Sequence, residues 1–189
     1  MREQLQIIYE DNGVVVCHKL PGIAVQSPRA GQQDMVSLLR NYFARKKENT
    51  EIFLVHRLDQ PVEGVMVFAR TKEAAANLSS QVQKRQMDKQ YLAVVEGRFE
   101  KKSGTLENFL IRDGKTNTSG VVEKEGKGAK KARLSYEVLE EKEKDSLVKV
   151  ILETGRHHQI RVQMAYAGHP LVGDKKYNPQ CEACLLYTS

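Results

Sequence analysis

Asp59 stands in a polar stretch, His56-Arg57-Leu58-Asp59-Gln60-Pro61-Val62-Glu63-Gly64, set between two short apolar runs. A loop at a sheet edge is a common place for a working side chain. Arg57 and Asp59 are two residues apart, and Pro61 restricts the backbone beside them. A carboxylate on a stiff loop suits a nucleophile or an acid–base group. The plainer alternative is a turn-forming Asp, since Asp is common in turns. A second candidate is Arg161. Helical spacing over 156–167 puts His157, Ile160, Arg161, Met164 and Gly168 on one face. Ile160 and Met164 are core residues by type, so Arg161 beside them needs an anion, because a lone buried charge is very costly. Asp59 is a natural candidate. The alternative is an arginine whose head reaches the surface.

Other chemistries are poorly served. The five histidines are His18, His56, His157, His158 and His169. A metal-dependent phosphohydrolase would draw on His56, Asp59 and the His157-His158 pair. Adjacent helical residues diverge, however, and no two histidines are four apart. The phosphate loop G-x-x-x-x-G-K-[ST], the dinucleotide fingerprint G-x-G-x-x-G and the G-x-S-x-G elbow are all absent. Cys17, Cys181 and Cys184 are an odd set whose lone C-x-x-C lacks the second pair of a structural zinc site, so all three read as free thiols.

Elements must hold these residues in place. Ile7–Glu10 and Val14–Lys19 read as strands around an Asn12-Gly13 hairpin turn, followed by a turn at Leu20-Pro21-Gly22. Asp34 caps a predicted amphipathic helix over 35–47, with Met35, Leu38, Leu39, Tyr42 and Phe43 inward. Short strands at Phe53–Val55 and Val65–Ala69 flank the Asp59 loop, the second read as buried. Thr71 caps a helix over 72–86, and Tyr91–Glu96 is a strand ending at Gly97. Leu106 to Val122 alternates weakly, which predicts strands with a loose basic loop over 112–130. Leu134–Leu139 and Leu147–Leu152 are strands, and Gly168 closes the helix over 156–167. Hairpins with separate helices make an α+β domain with a mixed, largely antiparallel sheet.

The 189 residues suit a single domain that needs no metal or disulfide staple. No apolar run approaches the ~20 residues of a membrane span, and the N-terminus has no secretory pattern, so a cytoplasmic protein is expected. Lys and Arg outnumber Asp and Glu by 30 to 24, for a net charge of +6 and a pI near 9.2. The excess favours a polyanionic partner. Basic clusters stand at Arg45-Lys46-Lys47, Lys84-Arg85 and Lys127 to Arg133. They fit phosphate contacts along a groove, or simply solvated loops and helix ends.

Four ordered segments give the chain a family resemblance. They are Lys19-Leu20-Pro21-Gly22, His56-Arg57-Leu58-Asp59 followed by Gly64, Lys89 to Gly97, and Gly155-Arg156-His157-His158-Gln159-Ile160-Arg161-Val162 with Gly168-His169-Pro170-Leu171-Val172-Gly173-Asp174. Together they resemble the RluA-type pseudouridine synthases. The resemblance implies the pseudouridine synthase fold with a central RNA-binding cleft. It also implies isomerisation of uridine to pseudouridine in ribosomal or transfer RNA, without metal or organic cofactor. Asp59 would be the nucleophile and Arg161 its partner. Tyr91 would stack on the uracil and help move the C5 proton. Arg57 would stand near the flipped-out nucleotide, with His56, Leu58 and Ile160 completing the substrate-binding set.

The chain departs from the family pattern in places. Gln60-Pro61-Val62-Glu63 replaces the usual residues before Gly64, which bears on substrate choice. A further departure is that no N-terminal accessory RNA-binding domain is expected here, and the chain reads as a monomer with no obligate protein partner. The family continues through a further strand beyond Ser189, so the end reads as truncated or foreign. The rival reading is a non-catalytic RNA-binding protein of the same fold; retention of Asp59, Tyr91 and Arg161 argues for the enzyme.

Overall fold

The computed structural model describes residues 5–27 and 31–181, and the backbone of 187–188. These fall into two compact units that divide after Met87. In the first unit, β1 (Gln6–Glu10), β2 (Val14–Lys19), β3 (Phe53–Leu54) and β4 (Gly64–Ala69) form an antiparallel sheet in the order β1-β2-β4-β3. The β1–β2 turn forms because Asp11 Oδ1 accepts the amides of Gly13 and Val14, each at 2.7 Å. Period-two alternation sends Val15, Cys17 and Lys19 inward from β2, opposite Phe68, Met66 and Gly64 of β4. Helix α1 (Met35–Arg45) adds Met35, Val36, Leu39 and Phe43 to this core. Asp34 and Ser37 make a reciprocal capping box at its start. The helix ends two residues earlier than its periodicity predicts, since Lys47 turns to φ 58°. Helix α2 (Lys72–Gln83) is capped by Thr71 as expected, and stops three residues short of Gln86. Strand β4 is only partly buried, with Val65 50% exposed.

The second unit is a six-stranded antiparallel sheet in the order β10-β5-β9-β8-β6-β7. Its strands are β5 (Gln90–Glu96), β6 (Ser103–Asp113), β7 (Thr118–Val122), β8 (Lys130–Glu141), β9 (Asp145–Leu152) and β10 (Tyr187–Thr188). The expected loose loop over 112–130 is largely ordered. β6 runs on to Asp113, whose carboxylate accepts the Lys115 amide and the Thr116 hydroxyl and so builds a tight turn. The chain returns as β7, leaving only the 114–117 turn and the 123–129 segment between strands. Glycines at 114 and 120 masked the strand in sequence, although Thr118, Val121 and Val122 have the β-branched chemistry that favours one.

Helix α3 (Gln159–Tyr166) starts three residues later than expected, because His158 adopts the left-handed region at φ 53°. His157 therefore lies in the preceding turn and off the helical face. The helix is also not amphipathic: every residue from Gln159 to Met164 is buried. Val162 packs with Leu110 of β6 and Ala132 of β8, and Tyr177 and Val121 close over them. Cys17 and Cys181 are free thiols, while Cys184 lies outside the described residues. No helix among the described residues is long and apolar enough to cross a membrane.

Candidate active site

The first unit presents Asp59 on a clamped loop. The Val62 amide donates to the Asp59 carbonyl at 3.0 Å, closing a turn around Gln60 and Pro61. Leu58 and Val62 are 8% and 3% exposed, so apolar anchors stand on both sides of the half-buried Asp59. Beneath the loop lies Lys19, fully buried at the end of β2. Its ammonium donates to the carbonyls of Val62 at 2.5 Å, Gln60 at 3.0 Å and Leu20 at 3.2 Å. Burial pushes this amine down to about 8, against the opposing pull of the Asp59 and Glu63 carboxylates. The 20–22 turn adds two bonds: the Gly22 amide donates to the Gln60 carbonyl at 2.8 Å, and Gln60 Nε2 donates to the Gly22 carbonyl at 2.9 Å. Gly22 sits at φ 86°, where a side chain would be strained.

The other expected residues of this loop divide by environment. Arg57 is exposed. His56 accepts the Val67 amide at Nε2 over 3.2 Å, which ties the loop entry to β4. Of the atypical residues before Gly64, Val62 is a core anchor and Gln60 a brace, while Glu63 pairs with His18 at 3.1 Å.

The second unit carries Tyr91, Ile160 and Arg161. Tyr91 is half-buried on β5, opposite Val150 of β9. Ile160 is 5% exposed and belongs to the core. Arg161 is 8% exposed and grips Asp174 side-on, with Nε to Oδ2 at 2.7 Å and Nη2 to Oδ1 at 2.6 Å. Burial alone would raise the Asp174 carboxyl. The bonds and charge of Arg161 outweigh it, with help from the Lys176 and Tyr177 amides, and hold the group below its ordinary value. Tyr177 lies against the same guanidinium, its ring centre 5.0 Å from Cζ. The two adjacent histidines do not diverge as a helix would require. Their rings stack with centroids 3.8 Å apart because the left-handed turn at His158 brings them together. Among the described residues, no group of three or more His, Cys, Asp or Glu side chains is arranged to hold a metal ion.

Lys19, Asp174 and Tyr177 were not singled out from sequence as site residues. For Lys19 a signal existed, since it continues the inward alternation of Val15 and Cys17. Asp174 ends the Gly168–Asp174 segment that carries the resemblance, whereas Tyr177 lies beyond it and carries no such signal.

Residues 13–166 match the sequence profile described as RNA pseudouridylate synthase, which takes in both the Asp59 loop and α3. The chain belongs to this family. An uncharacterized RNA pseudouridine synthase of Bacillus subtilis is 37% identical over 177 residues, covering 92% of this chain and 58% of that protein. The ribosomal large subunit pseudouridine synthase D of Blochmanniella floridana is 38% identical over 92% of this chain and 54% of its own length. The chain thus spans little more than half of these relatives. Among solved structures, human RNA pseudouridylate synthase domain containing 4 superposes with a TM-score of 0.78 at 26% identity, over 91% of this chain and 68% of that one. Human RNA pseudouridylate synthase domain containing 1 shares the fold, with a TM-score of 0.82 at 24% identity over 98% and 76% of the two chains. The expected α+β architecture is therefore that of the RNA pseudouridylate synthase family.

Proposed function

We propose that this chain isomerises uridine to pseudouridine within an RNA strand, with Asp59 as the nucleophile. The observation that carries the reading is a half-buried carboxylate on a loop locked by the buried Lys19 ammonium, inside the segment that matches the family. The reaction breaks the C1′–N1 bond and forms C1′–C5; C5 loses its proton to solvent and N1 gains one. Atoms and electrons are conserved, so no redox partner or group donor is required. A carboxylate fixed near C1′ assists departure of the uracil and leaves again when C5 takes its place. Arg161 serves as the catalytic cation, and Tyr91 stacks on the base and helps move the C5 proton. The base must leave its helical stack to be reached, and phosphate and stacking contacts offset that cost.

The test is tritium release from RNA labelled at uridine C5. The unmodified chain should release tritium without added metal or nucleotide, and equally after dialysis against EDTA. Asp59→Asn should abolish release while RNA affinity stays within about threefold, because phosphate contacts are untouched. Release by Asp59→Asn at the normal rate would sink the assignment. RNA binding without release by the unmodified chain would favour the non-catalytic alternative.

A further inference from the structure

We infer that Asp174 and Tyr177 are positioning residues for Arg161, a pair of restraints that fixes the guanidinium both in its plane and across it. The inference rests on the catalytic reading of Arg161 given above. The in-plane restraint is the side-on grip of Asp174, which occupies the Nε–Nη2 edge and thereby sets the direction of the rest of the fork. A single bond would leave the guanidinium free to swing about it, and two parallel bonds do not. The cross-plane restraint is the Tyr177 ring against the guanidinium.

Both restraints come from one short loop that is itself pinned. Asp174 Oδ1 also accepts the amides of Lys176 at 3.1 Å and Tyr177 at 3.4 Å, and the Asn178 amide donates to the Asp174 carbonyl at 2.6 Å. The far end of Tyr177 is fixed as well. Its hydroxyl oxygen accepts the Ser119 amide of β7 at 2.8 Å and stands 2.8 Å from His158 Nδ1. That ring is in turn stacked on His157, whose Nδ1 lies 2.9 Å from Ser119 Oγ. The phenol therefore links β7 and the turn before α3 to the guanidinium on α3. Packing alone would be met by any apolar ring at 177. A hydroxyl bonded at both of these points is what a fixed ring angle requires.

The experiment uses Tyr177→Phe, which keeps the ring and removes only the hydroxyl, together with Asp174→Asn. Arg161→Lys serves for assignment and as a background. The Nε–H signal of Arg161 in nitrogen-15 NMR spectra, identified by its loss in Arg161→Lys, reports the grip directly. In Asp174→Asn it should move upfield and exchange faster with water. In Tyr177→Phe it should broaden. Single-turnover tritium release should fall about tenfold in Tyr177→Phe, since sub-ångström misplacement of a reacting group has costs of this order. RNA affinity should stay within about twofold. In the Arg161→Lys background the further loss from Tyr177→Phe should vanish, because the group being positioned is gone.

An unchanged Arg161 signal in Tyr177→Phe overturns the proposal. So does an equal rate loss in both backgrounds, or a loss confined to RNA affinity. Tyr177→Phe keeps the test decisive should Asp174→Asn fail to fold. If the unmodified chain releases no tritium, the catalytic reading fails by itself, and the positioning claim stands or falls on the Arg161 signal.

Discussion

Lys19 and Arg161 pose the same physical problem, a cation inside the fold, and meet it differently. Lys19 is surrounded by carbonyls of the loop it supports, whereas Arg161 has a carboxylate. Lys19→Met keeps the stem's volume and removes the buried donor of the Val62 carbonyl, while the Gln60 carbonyl keeps the Gly22 amide. We expect a stability loss of about 1–3 kcal/mol, the usual range for an orphaned buried polar group. Tritium release should fall further than unfolding accounts for, because the Asp59 turn loses its clamp. Urea unfolding beside activity under folded conditions measures both, and full activity would show that the clamp is dispensable. For Asp174 the prediction concerns pH. Its folded value lies below its unfolded one, so its stabilising contribution is complete above the unfolded carboxylate range, near pH 4. The contribution is lost as pH falls through the folded value. Asp174→Asn should therefore be less stable than the parent at pH 7, and the gap should close on acidification. Thermal unfolding at stepped pH from 7 to 3 checks this, and a gap that is constant with pH would contradict it. At this scale the sequence is more informative about single residues than about pairs: it offers Asp59 as the partner of Arg161 and gives no hint of Asp174 in that role. An inward Arg161 could be read from its apolar neighbours. That Asp174, thirteen residues on, grips it depends on how the chain turns after Gly168.

Elements with local signals were the legible ones. The Asn12-Gly13 hairpin, the Asp34 cap and the Thr71 cap each rest on a side chain bonding backbone a few residues away, so the sequence window contains the whole interaction. Helix α3 shows the opposite case. The helix is expected from residue 156, but the left-handed turn at His158 is stabilised by Tyr177 and by ring stacking on His157, contacts that helical spacing does not show. β7 was read as loop for a similar reason, since its strand character comes from pairing with β6 as well as from its own composition. The capping box gives a direct test. Asp34 accepts the Ser37 amide at 2.7 Å and also that of Ser27 at 2.7 Å. Asp34→Ala should cost about 1–2 kcal/mol. The loss should appear in urea unfolding of the whole chain, and a cost below about 0.3 kcal/mol would show that the cap is not used. Asp34→Asn should recover part of it, since an amide oxygen still accepts.

On the scale of the whole molecule, charge is unevenly placed. Residues 112–133 hold seven Lys and Arg against three Asp and Glu, most of the chain's net excess. Structure refines which of these are available to a polyanion. Lys131 and Arg133 on β8 are already paired with Glu107, and Arg133 also with Glu153. Lys124 and Lys127 in the 123–129 segment, and Lys130 at the start of β8, are exposed or nearly so, and so are the stronger candidates for phosphate contacts. Replacing Lys124, Lys127 and Lys130 together by Ala should then weaken RNA binding without altering the chemical step. Each lost phosphate contact reduces the slope of log affinity against log salt by about 0.7 for single-stranded RNA and about 0.9 for duplex. Three contacts make a change of about 2, readable from binding isotherms between 50 and 300 mM salt. At saturating RNA, single-turnover tritium release should match the parent, because these lysines act through encounter and register. Replacing Lys131 and Arg133 should change the slope much less, since their charge is already balanced. Equal effects from the two sets would mean that total charge, rather than its placement on this unit, governs the RNA contact.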